Sequence, residues 1–328
     1  MPELHHFHGG LVLDGHKTES LARGLQQASL TERLFLPLRQ HIGDHNKPRV
    51  EIGDHVLKGQ VIASDSALIC AAVHAPTSGT ISAIENYPVA HPSGKMDTCI
   101  VIDVDGDDKA VEPDPADLES LAPTELIELI CRAGIVGLGG AVFPTSPKLS
   151  RGKAQGIETL IINGVECEPY ITCDDSLMRF NAAEVIRGTD YLQRILTPGT
   201  TYIAIEDNKP EAIAAMAKAL AGHPLPDTEI IPIPTIYPSG GEKQLVQILT
   251  GKEVPHGQLA FDIGIFCQNV GTCAAITRAL EKDEPLISRV VTISGDNIAQ
   301  PGNWEVRLGT PINHLIELAG GYRHGTGG

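Results

Sequence analysis

The residues best suited to chemistry lie in the stretch 134–148, GIVGLGGAVFPTSPK. Gly134, Gly137, Gly139 and Gly140, with the small Ala141, give a backbone that can enter left-handed φ/ψ and approach another surface with no Cβ in the way. A loop of this kind can turn its N–H groups on a phosphate or lie flat along a ring. Phe143 offers a face for a planar base, and Lys148 places a cation a few residues on. A tight glycine-rich turn is the plain reading of any such cluster. With the aromatic and the cation added, the stretch points to a nucleotide or flavin cradle.

The flanking sequence supplies the elements that must hold this loop. Pro123 at a first helical position, Leu126, Ile127, Ile130 and Ala133 on one side and Gly134 after the last turn predict a helix leading into it. Strand and helix then alternate: a strand over 159–163, a helix capped by Asn181 with Val185, Ile186 and Leu192, a strand over 202–205, a helix over 210–220 closed by Gly222, and a strand over 229–237. Alternation at this spacing predicts a parallel sheet whose ligands lie at the carboxyl ends of the strands. Polar residues follow each strand: Asn163, Glu166 and Glu168; Glu206, Asp207 and Asn208; Tyr237, Ser239, Gly240, Gly241, Glu242 and Lys243. A later loop adds Gln268, Asn269 and Thr272.

Composition narrows the function classes. With 25 basic against 41 acidic side chains the formal charge is −16, which opposes a nucleic-acid partner. A hydrophobic share of 42% and a charged share of 20% describe an ordinary globular chain. No run reaches the roughly 20 apolar residues of a membrane span, and MPELHHFHGG has no secretory pattern. Seven cysteines without a CxxC suit a reducing cytosol better than a disulfide scaffold.

Organisation follows from punctuation. Residues 1–30, with His5, His6, His8 and His16, read as a solvated arm that packs over another domain; a metal site there lacks accompanying carboxylates or cysteines. Residues 31–105 read as short strands turned at Gly53-Asp54 and Lys58-Gly59. Their GDHVLKGQ and APTSG segments resemble the barrel-sandwich hybrid of biotinyl and lipoyl carriers. No lysine occurs between Lys58 and Lys95, so the carrier chemistry is absent from the carrier shape. The acidic, proline-containing residues 106–122 read as a linker, residues 123–288 as the α/β domain, and 289–328 as a further segment.

GLGGAVFPTSPK, NGVECEP, YPSGGEKQL and QNVGT occur in that order. They are similar to the four segments that build the flavin site in the NADH-binding flavoprotein subunit of respiratory complex I. With HHFHGG and the barrel segment, the whole chain resembles the C-subunit family of Rnf electron transport complexes. The resemblance implies an α/β fold class in three parts: a barrel-sandwich hybrid, a Rossmann-like FMN- and NADH-binding domain, and the start of a soluble-ligand-binding β-grasp (SLBB) domain over 290–321. It implies FMN as cofactor, NAD(H) as substrate, and partners among the other subunits of a membrane complex. The chain would then be a peripheral protein on the cytoplasmic face of the bacterial inner membrane.

By position, the resemblance assigns Gly137, Gly139, Gly140 and Lys148 to the flavin loop and its phosphate. Asn163, Glu166, Tyr237, Gly240, Gly241, Gln268, Asn269 and Thr272 fall at polar flavin contacts, and Phe143, Glu168 and Glu242 at positions that hold NADH. Leu138, Val165 and Gly241 stand where complex I carries arginine, aspartate and glutamate. Leu149-Ser150-Arg151 lacks its second aromatic. Two [4Fe-4S] clusters expected of the full-length family have no ligands here, so the chain reads as a fragment. The same resemblance admits a flavin-less assembly role, like that of the A-type relative in the sodium-pumping NADH dehydrogenase. Cys167, Cys173, Cys267 and Cys273 could form a four-thiolate site, although buried cysteine as a small hydrophobe is the commoner state; Cys70, Cys99 and Cys131 read as core.

Overall fold

The structure is a computed structural model that describes residues 3–67, 69–91, 93–114 and 116–323. The remaining positions of the expected arm, barrel, linker and β-grasp segments lie outside the described residues.

The first core is enclosed by two small antiparallel sheets. One orders Arg33–Pro37, Met96–Val104, Gly79–Pro88 and His55–Val56; the other orders Lys47–Pro48, Val61–Ser64 and Val73–His74. Alternation sets Leu34 opposite Ile102 and Leu36 opposite Ile100, with Val56, Ile62 and Ile81 filling the interior. At Gly79 a Cβ would lie 2.3 Å from the carbonyl oxygen of Asp103, so the strands meet there only because the residue is glycine. The turns anticipated at Gly53 and Gly59 are present, at φ +98° and +87°.

Four parallel strands order the α/β part as Thr228–Ile233, Thr200–Glu206, Thr159–Gly164 and Ile265–Asn269. Successive side chains enter opposite cores. Leu160, Ile162, Ile203, Ile205 and Phe266 pack beneath helices Pro123–Arg132, Ala182–Leu196, Pro210–Gly222 and Val270–Lys282. Ile161, Ala204, Ile231 and Ile265 pack beneath Glu242–Thr250. Burial on both faces explains why these strands read as nearly continuous apolar runs. The chain moves outward from Thr159–Gly164 to Thr228–Ile233 and then returns to the other side of Thr159–Gly164, so strand order reverses there. That reversal is where a parallel sheet opens a crevice at its carboxyl edge.

Several expectations are corrected. The strand expected over 229–237 ends at Ile233, before Pro234; Pro232 is accommodated because the strand is at the sheet edge. Asn181 stands at the helix boundary, but its side chain makes no capping bond. Helices Thr145–Gln155, Cys173–Phe180 and Glu242–Thr250 were not anticipated. The arm packs over the α/β part, as expected of it: Leu11 and Tyr237 exchange backbone hydrogen bonds of 2.8 and 2.9 Å, and Leu4 and Phe7 pack on the second α/β core. The acidic run is exposed over much of its length yet tied down, with Asp108 paired to Lys58 at 2.7 Å and to Arg307 at 3.1 Å.

The last segment forms a small sheet in which Gly302–Arg307 lies between Ser288–Ile293 and the arm's Leu25–Gln27. Trp304, Val306, Ile298 and Ala319 form its core.

Candidate functional site

The glycine loop closes on itself before it meets the sheet. The Gly137 N–H donates to Phe143 O at 2.9 Å, and the Leu138 N–H donates to Thr272 Oγ1 at 3.0 Å. At Gly139 a Cβ would stand 2.9 Å from Asn269 Cβ, so the loop lies directly on that asparagine. Gly140, at φ +106°, faces open space.

Asn269 and Asn163 are register partners at the carboxyl ends of adjacent strands, on the strand where the order reverses. Asn269 caps the helix Val270–Lys282, its Oδ1 accepting from the Gly271 N–H at 2.8 Å. Asn163 Nδ2 donates to Gly240 O at 2.9 Å. A Cβ at Gly240 would lie 2.3 Å from Val165 O, so the third segment also touches backbone to backbone. Gly241 caps the helix that Glu242 begins. Glu242 reaches Lys148 at 3.4 Å, and Lys148 Nζ donates to Cys267 O at 2.5 Å while lying 4.9 Å over the Phe266 ring. Gly139, Asn269, Asn163, Gly240, Glu242 and Lys148 thus follow one another as an open ring of contacts, running from Gly139 on Asn269 to Lys148 on Cys267 O.

The other candidates take varied places. Gln268 and Ser239 are buried with Gln268 Oε1 and Ser239 Oγ unpartnered. Such polar atoms, together with Gly240 pressed on the Val165 backbone, Gly139 pressed on the Asn269 side chain and an open Gly140, fit a polar ligand of uncharged edge and anionic tail. Phe143 is half-buried. Tyr237 is held by Leu11 of the arm, and Glu168 is exposed, its carbonyl accepting from Lys17. Glu206 does not face a ligand: it is fully buried against Lys209. Asp207 accepts from Thr235.

Beneath the ring lies a group that sequence reasoning only half found. Glu166 is 4% exposed; its Oε1 accepts from the Asp174 N–H at 2.9 Å and from the Cys173 thiol at 3.2 Å. Asp174 Oδ2 accepts from Asn269 Nδ2 at 2.7 Å. Burial, then the neighbouring Asp174, pushes the Glu166 carboxyl up, and burial pushes Asp174 up as well. Lys17 donates to the carbonyls of Glu166, Glu168 and Ile171 at 2.7, 2.9 and 2.7 Å. Burial, then Lys209, lowers its pKa. Arg289 Nη2 reaches Leu138 O at 3.4 Å. Nothing in the sequence around Lys17, Asp174 or Arg289 marks them; the packing of the arm brings in Lys17, the last segment Arg289, and the helix Cys173–Phe180 carries Asp174.

The four-thiolate site is not assembled. Among the described residues, the one group of three or more ligand-type side chains within 4.8 Å is Glu166, Cys173 and Asp174. Burial pushes the Cys267 thiol up to about 12 and Cys273 higher still, so both are inert in the core. The amino-terminal histidines form no such group either.

Comparison with known proteins gives this arrangement a class. Residues 5–107 match the RnfC barrel sandwich hybrid domain, 130–278 the Nuo51 FMN-binding domain and 290–327 the SLBB domain. The fold class expected from sequence therefore stands. The chain also resembles the solved structure of an NAD+-reducing [NiFe]-hydrogenase in the H2-reduced state. The TM-score is 0.51 at 24% identity, covering 60% of this chain and 39% of the other. That likeness speaks to fold alone.

The chain is 51% identical over 315 residues to the C subunit of the ion-translocating oxidoreductase complex of Serratia proteamaculans, covering 96% of this chain and 44% of that one. It is 50% identical over 321 residues to the protein of the same description from Pseudomonas aeruginosa, covering 98% and 41%. The chain belongs to the RnfC family, the C subunits of ion-translocating oxidoreductase complexes. It spans less than half the length of these relatives. No helix among the described residues is long and apolar enough to cross a membrane.

Proposed function

We propose that this chain is the part of an electron-transport protein that takes reducing equivalents from NADH through FMN. They would pass onward singly to iron–sulfur centres held outside these 328 residues. The whole protein would sit on the cytoplasmic face of a bacterial inner membrane, docked to the other subunits of an ion-translocating oxidoreductase. The ring of contacts among four segments at the reversal of strand order supports this reading. When bound, FMN would supply a centre that accepts two electrons together and releases them one at a time.

The chain's own residues bind and orient. The free N–H groups of the loop at Gly139 and Gly140, with the Lys148 ammonium, suit the phosphate tail. Amide groups of Asn163, Gln268 and Asn269, with Thr272 and Tyr237, suit an uncharged heterocycle edge. Phe143, Glu168 and Glu242 would hold the nicotinamide nucleotide by stacking and by accepting from ribose or amide groups. Transfer of hydride needs placement and the exclusion of water more than acid–base groups, so no catalytic residue in the narrow sense is required.

Purified chain titrated with FMN is expected to show a bound-flavin spectrum that NADH bleaches. A Lys148→Glu variant would place two carboxylates together at the ring. It is expected to weaken FMN binding about 100-fold or more while changing riboflavin binding little, on the usual magnitude of a lost charge-assisted contact. Unchanged FMN affinity in that variant would remove Lys148 from the site.

A further inference from the structure

Glu166 and Asp174 stand under the ring with no ion-pair partner among the described residues. Among the described residues, their hydrogen bonds come from backbone N–H groups, the Cys173 thiol and the Asn269 amide. The cations that face them are otherwise engaged. Lys17 Nζ is shared among three carbonyls, and Lys209 is paired to Glu206 at 2.5 Å and only touches Glu166 O at 3.3 Å. Arg289 leans on Leu138 O. The exposed Glu168 adds negative charge near Asp174.

Ligand atoms of Glu166, Asp174 and Cys173 lie within 4.8 Å of one another. Two carboxylates this close and this poorly paired do not both ionise at low cost. Glu166 is sealed in, but Asp174 keeps part of its surface open and lines a cavity with Leu138, Gly271 and Arg289. One member of the pair is therefore buried below the ring, and the other has a route to water.

We propose that Glu166 and Asp174 share one exchangeable proton, and that this proton is taken up from or returned to water when the charge held in the ring changes. The second clause rests on the flavin reading above. Negative charge added to the ring, with electrons supplied by a reduced nicotinamide, draws one proton from solvent water through Asp174 to form one carboxyl O–H. Loss of that charge breaks the same O–H and returns the proton. The carboxyl pair changes protonation and is never itself oxidised or reduced. Burial raises both groups in the direction this requires, and they titrate as a pair rather than singly.

The first test needs no flavin. Infrared spectra of the wild-type apo chain are expected to contain a protonated-carboxyl stretch that shifts in D2O. That band should fade as pH rises from about 5 to about 8, and its position and midpoint should change in Glu166→Gln and Asp174→Asn. A wild-type chain without such a band in that range overturns the shared proton, whatever the variants do. Calorimetry of FMN binding near neutral pH, in two buffers of different ionisation enthalpy, then reads proton uptake directly. Uptake that disappears in either variant supports the coupling; binding with no uptake overturns it. FMN failing to bind defeats the flavin reading and the coupling with it, while the band still decides whether the proton is shared.

Discussion

Glu166 shows how a single side chain can carry information that its sequence neighbours do not. The segment NGVECEP marks it as polar and near a strand end, and nothing in those letters shows that its carboxyl is buried. That burial comes from Lys17, 149 residues upstream, and from Asp174 on the next helix. Its folded pKa, raised from 4.5 to about 7, lies above its unfolded value. The folded state therefore binds more protons in that window, and its contribution to stability is full below about pH 4.5 and lost as pH rises through about 7. Urea unfolding of the wild type is expected to show this decline, on the order of 1–3 kcal/mol at most. Glu166→Gln should make it shallower, leaving the share that Asp174 carries. An equal decline in the variant would place the titration elsewhere.

At the scale of elements, the sequence was most readable where one physical signal ran without interruption. Thr159–Gly164 and Pro210–Gly222 stand within a residue or two of their expected bounds, because apolar runs and proline or glycine punctuation set them. The helix Thr145–Gln155 was hidden. Its TSPKLSRGKAQ carries little apolar periodicity, and only Thr145, Leu149 and Gly152 are buried. It nonetheless aims Lys148 at the Cys267 carbonyl within the Ile265–Asn269 strand. The glycine loop was legible as a backbone surface, but not as one lying on Asn269, since that contact joins segments far apart in the chain.

Gly139→Val tests the contact: the new side chain would start 2.9 Å from Asn269 Cβ, so the loop must move. FMN affinity is expected to fall at least about tenfold, with the melting temperature within a few degrees of wild type because the loop lies outside the main cores. Isothermal titration and a thermal melt read both; unchanged affinity would mean the loop does not form one wall of the site.

Across the whole molecule, the domain-by-domain order of the sequence conceals how the ends return. The arm supplies an edge strand to the last sheet, and the two meet the α/β part at a buried polar knot. Asn303 Nδ2 donates to Ser20 O at 3.0 Å and to Thr172 Oγ1 at 2.8 Å, while its Oδ1 accepts from Thr292 at 2.7 Å. Asn303→Leu would remove all three bonds, leaving Ser20 O without this donor while Thr172 and Thr292 keep one other partner each. It is expected to cost about 2–4 kcal/mol in denaturant unfolding; a change below about 0.5 kcal/mol would show that the three parts are joined by apolar packing alone.

The most direct measurement for the central claim is a paired fluorescence titration of the purified chain with FMN and with riboflavin, followed by addition of NADH. The account expects one FMN per chain, markedly weaker riboflavin binding because the phosphate is missing, and bleaching of the bound flavin by NADH. No FMN binding, or equal affinity for the two flavins, would contradict a ring that grips the phosphate tail through Gly139, Gly140 and Lys148.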